Sequence, residues 1–133
     1  MTRYILVSVG TGILFGLLDG ILNANPLARR LYAVFEPIAR KSISLPAGFA
    51  IDLVSGFVIA GVFIVLFPSL PGDSRIVKGL VLGALLWFFR VAMQVASQWM
   101  MFDIPAGTLL YTLAGGLLEM IALGLLCGLA LRR

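Results

Sequence analysis

Four long apolar runs, at about residues 4–24, 47–68, 76–101 and 105–131, take up most of this chain. A bilayer core about 30 Å thick is crossed by roughly 20 apolar residues in a helix, because backbone polar groups must be satisfied within the segment where water is excluded. Each run meets that length. With 133 residues, 61% hydrophobic and 12% charged, and a mean hydropathy of +1.09, the chain is expected to be all-α and integral to a membrane. The expected architecture is a single transmembrane domain over 1–133, folded as a four-helix up-and-down bundle. Any chemistry would then lie within the bilayer or at its surfaces. The basic start followed by an apolar run has the look of a signal peptide, but there is no A-x-A site and the run is long enough to span, so the first helix is expected to be retained.

The connections are patterned. NPLARRLYAVFEPIARKS, residues 25–42, places Leu27, Leu31, Val34 and Ile38 on one side of a helix and Arg29, Glu36 and Arg40 on the other. An amphipathic helix over about 26–41 is expected in the membrane interface, kinked at Pro37, with Arg29, Arg30, Arg40 and Lys41 toward lipid headgroups. FPSLPGDSR, residues 67–75, reads as a tight reversal in which glycine takes a left-handed conformation. The next link, QWMMFDIP, is also short, so successive helices should run antiparallel. PAGFAIDLVSG at 46–56 aligns with PAGTLLYTLAG at 105–115, a candidate internal repeat of two helical hairpins about a pseudo-two-fold along the membrane normal.

Between helices in lipid there is little hydrophobic drive, and close approach through small residues takes its place. Ser8, Gly12, Gly16 and Gly20 recur at every fourth position of the first run, and Gly56 with Ala60, Gly79 with Gly83, and Gly124 with Gly128 repeat the device. Gly12, Gly16, Gly20, Gly79 and Gly83 are the expected packing positions. More small-residue faces are present than one bundle needs, which points toward contacts with other chains.

Four ionisable residues interrupt the runs: Asp19, Asp52, Arg90 and Glu119. A charge at the centre of a spanning helix costs about 3 kcal/mol even on permissive insertion scales, so such residues find partners or mark a site. Asp19 and Asp52 fall at similar depth from one surface, and Arg90 is expected to reach one of them. Gln94, Ser97 and Gln98 continue the Arg90 face. Glu119 has no basic residue at its level and is expected to be protonated or hydrogen-bonded to a hydroxyl such as Thr11. Three carboxylates against one arginine leave a deficit that protons, a cation or water must make up. Asp19, Asp52, Arg90, Gln94 and Glu119 are therefore the candidate polar cluster, although charged residues near helix ends are often purely structural.

Composition also excludes functions. The chain has no histidine, and its one cysteine, Cys127, cannot form an intrachain disulfide; no metal site and no cofactor is expected. The net charge of +4 arises at span ends, where topology and headgroups explain it better than nucleic acid. No nucleophile, phosphate loop or acid–base constellation indicates an enzyme. The first expectation is a non-catalytic integral membrane subunit that packs against partner chains, lipid or a hydrophobic cofactor held in a larger complex. The alternative is a small homo-oligomeric transporter or channel that uses the intramembrane carboxylates and Arg90. Arg3, Arg75, Lys78, Arg132 and Arg133 oppose Arg29, Arg30, Arg40 and Lys41. That bias places both termini in the cytoplasm of a bacterial-type inner or plasma membrane, while its near balance also fits dual topology.

Overall fold

The computed structural model describes residues 1–38 and 45–131. Arg40 and Lys41, two of the expected headgroup residues, lie outside the described residues, as do Arg132 and Arg133. Among the described residues the chain is helical, without strands. Its elements are α1 (Thr2–Ala24), a short α2 (Pro26–Leu31) continued by a 3-10 helix (Tyr32–Ile38), α3 (Leu45–Leu66), α4 (Arg75–Met101) and α5 (Ala106–Ala130). Four of these, α1, α3, α4 and α5, are long and apolar enough to cross a membrane.

Prolines and caps set the boundaries. Pro46 sits in the first turn of α3, where its missing N–H costs nothing, and Pro68 forces the residue before it out of helical conformation. The helix therefore runs two residues earlier at each end than the apolar pattern predicts. Asn25 caps α2 by accepting from Ala28 N at 2.8 Å, with Pro26 at the first helical position. Ser74 caps α4 by accepting from Val77 N at 3.2 Å. Between α3 and α4, Gly72 takes φ 113°, the left-handed turn expected of FPSLPGDSR. The single amphipathic helix expected over 26–41 is instead α2 followed by the 3-10 helix. Pro37 lies inside the latter, where it cannot donate to the ladder of a continuing α-helix.

The long helices form two hairpins, α1 with α3 and α4 with α5, joined along a seam between α1 and α5. Within each hairpin the backbones touch through glycine. A Cβ on Gly56 of α3 would strike Ser8 O and Gly12 N of α1; a Cβ on Gly124 of α5 would strike Gly79 O and Gly83 N of α4. Conversely, a Cβ on Gly12 would lie 2.9 Å from Asp52 O and Leu53 Cα, and one on Gly83 would lie 2.8 Å from Met120 O and 2.9 Å from Ile121 Cα. The two crossings are atom-for-atom equivalent. Gly12 corresponds to Gly83, a shift of 71 positions, and Gly56 to Gly124, a shift of 68.

This corrects the expected repeat. The two hairpins share a crossing geometry in a register set by the glycines, and the proline-led alignment of 46–56 with 105–115 does not describe it. Nor are the halves related by a two-fold axis. Such an axis would pair α3 with α4 wherever it paired α1 with α5, and α3 and α4 do not pack along one another. The order across the molecule is α3, α1, α5, α4, and the seam buries Phe15, Met120, Leu123 and Cys127. At one end Arg3 Nε donates to Ala130 O at 2.7 Å, a cation at the C-terminus of α5.

The internal crossings account for Gly12, Gly16, Gly79 and Gly83. Gly20 is different: a Cβ there would meet nothing within 4 Å, so its expected packing role is not fulfilled within the chain. Gly56→Val or Gly124→Val should each destabilise the fold by about 1–3 kcal/mol, the usual cost of overpacking a tight contact, and Gly20→Ala should be neutral or slightly stabilising. Denaturant or thermal unfolding in detergent micelles measures both; wild-type stability in Gly124→Val would contradict the crossing.

Candidate functional site

Four of the five candidate polar residues meet in one place. A cavity of about 260 Å³ runs between α1, α4 and α5 beside the 3-10 helix, and Asp19, Arg90, Gln94 and Glu119 all line it. Asn23, Gln98 and Thr112 add further polar groups, while Tyr32, Phe35 and Tyr111 supply aromatic wall. Asp52 is excluded. Its carboxylate lies against Gly16, where a Cβ would stand 2.8 Å from Oδ2, and it faces a separate cleft with Ile13, Leu17 and Phe49. Counting residues from the helix end puts Asp52 level with Asp19, but α3 crosses α1 at Gly16, one turn before Asp19, and Asp52 opens to a separate cleft there.

The repeat register gives the site its logic. Counted along the sequence from the crossings, a shift of 71 takes Asp19 to Arg90, so the two hairpins bring opposite charges to the same cavity. α1 is regular at Asp19, whereas α4 passes through a π-helical turn, Phe88–Ala92, at Arg90. Such turns insert one residue and re-aim the side chains that follow. Nothing in the periodicity of ALLWFFRVAMQ marks it.

Arg90 does not form the direct pair expected of it. Its guanidinium carbon stands 4.4 Å from the centroid of the Phe15 ring, a cation–π contact typically worth about 0.5–2 kcal/mol. Among the described residues no ion pair joins it to Asp19, Asp52 or Glu119. Asp19 is held by its own helix: Asn23 Nδ2 donates to Asp19 Oδ1 at 2.9 Å and to the Asp19 carbonyl at 2.8 Å. Asp19, Arg90 and Gln94 are exposed and form the open side of the cavity.

Glu119 is the buried end. It is 7% exposed, and its Oε1 is buried without a hydrogen-bond partner among the described residues. The hydroxyl expected to satisfy it, Thr11, contacts the Cys127 thiol at 3.8 Å instead. A buried polar atom left unmatched is costly, and this one belongs to a carboxylate that lines a cavity. Ser8 Oγ is also buried and unmatched, but it lies at the α1–α3 crossing, away from the cavity. No group of three or more His, Cys, Asp and Glu side chains that could hold a metal ion occurs among the described residues.

A hydrogen-bonded latch frames the site that the sequence did not reveal. Asn25 Nδ2 donates to the Ile21 and Leu22 carbonyls, each at 3.0 Å, and to the Tyr111 hydroxyl at 2.8 Å. Tyr111 in turn donates to Leu22 O, Thr108 Oγ1 donates to Leu31 O at 2.5 Å, and the Tyr32 and Thr112 hydroxyls meet at 3.0 Å. The α1–α2 corner and the 3-10 helix are thereby fastened to α5. Burial pushes the Tyr32 phenol up, against the opposing influence of its hydrogen bond to Thr112. Arg29 and Arg30 remain exposed in the last turn of α2.

Comparison with known proteins gives no match to a protein-family model, a curated protein or a solved structure. Function therefore rests on this geometry.

Tyr111→Phe removes the hydrogen bonds to the Asn25 amide and the Leu22 carbonyl, which still bond each other, and should cost about 1–2 kcal/mol of stability at the usual net worth of a hydrogen bond, read by thermal unfolding. Thr112→Val, which removes half-exposed contacts to Tyr32 and to the Thr108 carbonyl of its own helix, should cost less. A Tyr111→Phe protein as stable as wild type would show that the latch does not hold.

Proposed function

We propose that the protein is an integral membrane protein, a four-helix up-and-down bundle whose cavity admits a small polar solute or proton from one membrane surface to Glu119. It is the protomer of a small homo-oligomeric transporter or channel. Glu119 carries this reading: a carboxylate nine-tenths buried, with an unmatched oxygen, at the closed end of a polar cavity. Intramembrane ionisable groups of this kind are expensive and are ordinarily retained for use. Four spans are too few to enclose a complete pathway, so a second copy supplies the remaining wall.

Two features shift the balance away from a purely packing subunit. Most of the glycines that pointed toward other chains, Gly12, Gly16, Gly79 and Gly83, are consumed inside the hairpins, with Gly20 left open. Four of the five candidate polar residues converge on one cavity, with Asp52 alone in a separate cleft. The subunit reading draws its support from two outer apolar clefts, one lined by Tyr4, Phe57 and Val65 and the other by Trp87, Trp99 and Leu110, which lipid or a partner helix would fill. In either case we place the protein in a bacterial-type inner or plasma membrane with both termini cytoplasmic, Arg29 and Arg30 at headgroup level, and no enzymatic activity.

In proteoliposomes with an imposed proton gradient, the wild-type protein should dissipate it, and Glu119→Gln should slow that flux at least tenfold while leaving assembly by native mass spectrometry unchanged. Equal flux from wild type, Glu119→Gln and empty liposomes, together with a stable hetero-complex extracted from the native membrane, would replace this reading with the subunit one.

A further inference from the structure

The cavity holds both signs of charge, and that restricts what it can bind. Resting on the solute-handling reading above, we infer that its ligand is a small zwitterion bearing a primary ammonium and a nearby carboxylate or phosphate, either a free solute or a lipid headgroup. Three observations converge. Glu119 lines the cavity with a carboxylate whose buried Oε1 finds no partner among the described residues, so a ligand ammonium beside that carboxylate would offset its unmet acceptor demand. Arg90 lines the same cavity with its guanidinium stacked on the Phe15 ring, and no described carboxylate is hydrogen-bonded to it, so the N–H groups at its edge are open to an anionic partner. The two are close along the helices: Val91, beside Arg90, packs on Gly116, where a Cβ would stand 2.7 Å from Val91 Cγ1, and Gly116 is one turn of α5, about 5 Å, from Glu119.

Other ligand classes fit less well. A simple cation would satisfy Glu119 but would meet the Arg90 guanidinium in the same cavity, and a simple anion would meet Glu119 and Asp19. A divalent metal lacks a ligand set. An apolar molecule would leave Gln94, Gln98 and both charges unsatisfied. At about 260 Å³ the cavity lies just below the usual range for drug-sized ligands, which suits a molecule of about ten heavy atoms. Its exposed side, at Asp19, Gln94 and Arg90, admits a free solute, and its position beside the segment carrying Arg29 and Arg30 equally admits a headgroup.

Binding to the full-length protein in nanodiscs of phosphatidylglycerol, which carries no amine, tests the inference by saturation-transfer NMR. The zwitterionic probes are glycine, phosphoethanolamine and short-chain phosphatidylethanolamine; the half-probes are ethylamine, acetate and inorganic phosphate. At least one zwitterion should bind tenfold or more tightly than either of its halves, and Glu119→Gln and Arg90→Gln should each weaken it at least tenfold. Asp52→Asn, in the separate cleft, should not. A short-chain lipid that outcompetes phosphoethanolamine tenfold identifies a headgroup; equal binding identifies a free solute. Ethylamine binding as tightly as the zwitterions, or no probe binding to wild type, overturns the inference. If proton flux remains dependent on Glu119 in that event, the solute-handling reading survives alone; if flux is also indifferent to Glu119, both fall.

Discussion

Backbone-to-backbone contact at two glycine crossings is the constraint from which the rest of this structure follows. In the bilayer proposed for these helices a leucine gains little by facing another helix, so association would rest on dispersion and on how closely the axes approach. Gly12 against Gly56, and Gly83 against Gly124, bring the paired helices together until main-chain atoms meet. Each hairpin is therefore nearly fixed in register and angle. A side chain at any crossing position would separate the helices and rotate every residue beyond it. The placement of Asp19, Arg90 and Glu119 is a downstream consequence of residues that carry no functional group.

The two crossings are alike in geometry, while the residues beyond them differ in chemistry: seven positions past the crossing glycine, one hairpin carries Asp19 and the other Arg90. The halves meet along α1 and α5 without two-fold symmetry, so the equivalent residues do not face across an axis. They come to line two walls of one cavity, with Glu119 from the seam helix α5 at its closed end. The π turn at Arg90 and the Asn25–Tyr111–Leu22 latch complete the enclosure. A polar site is thus assembled from a repeat whose only shared requirement is close packing.

Much of this could be read from residue order. The four apolar helices, the Gly72 turn, four of the five glycine packing positions and four of the five polar residues at the cavity follow from hydropathy, spacing and the cost of charge among apolar residues. What could not be read has physical causes. Helix crossing, not distance from a helix end, decides that Asp52 lies beside Gly16 instead of Asp19. A π turn leaves no mark on periodicity, and a tyrosine such as Tyr111 in an apolar run does not announce its hydrogen-bond partners. Prolines and an alanine at helix starts match by composition alone, whereas the register of the crossings depends on which glycines touch.

The most direct measurement is the water accessibility of position 119. In a Cys127→Ser background, Glu119→Cys and Gln94→Cys should both react with a small cationic, membrane-impermeant thiosulfonate applied to sealed proteoliposomes. Leu123→Cys, fully buried in the seam one turn further on, should stay unmodified. Reaction at 119 would show that a water-filled path connects the surface to the buried end of the cavity. Protection of 119 alongside 123, with 94 still reactive, would mean that the cavity closes short of Glu119 and that this carboxylate belongs to the packing of the helices.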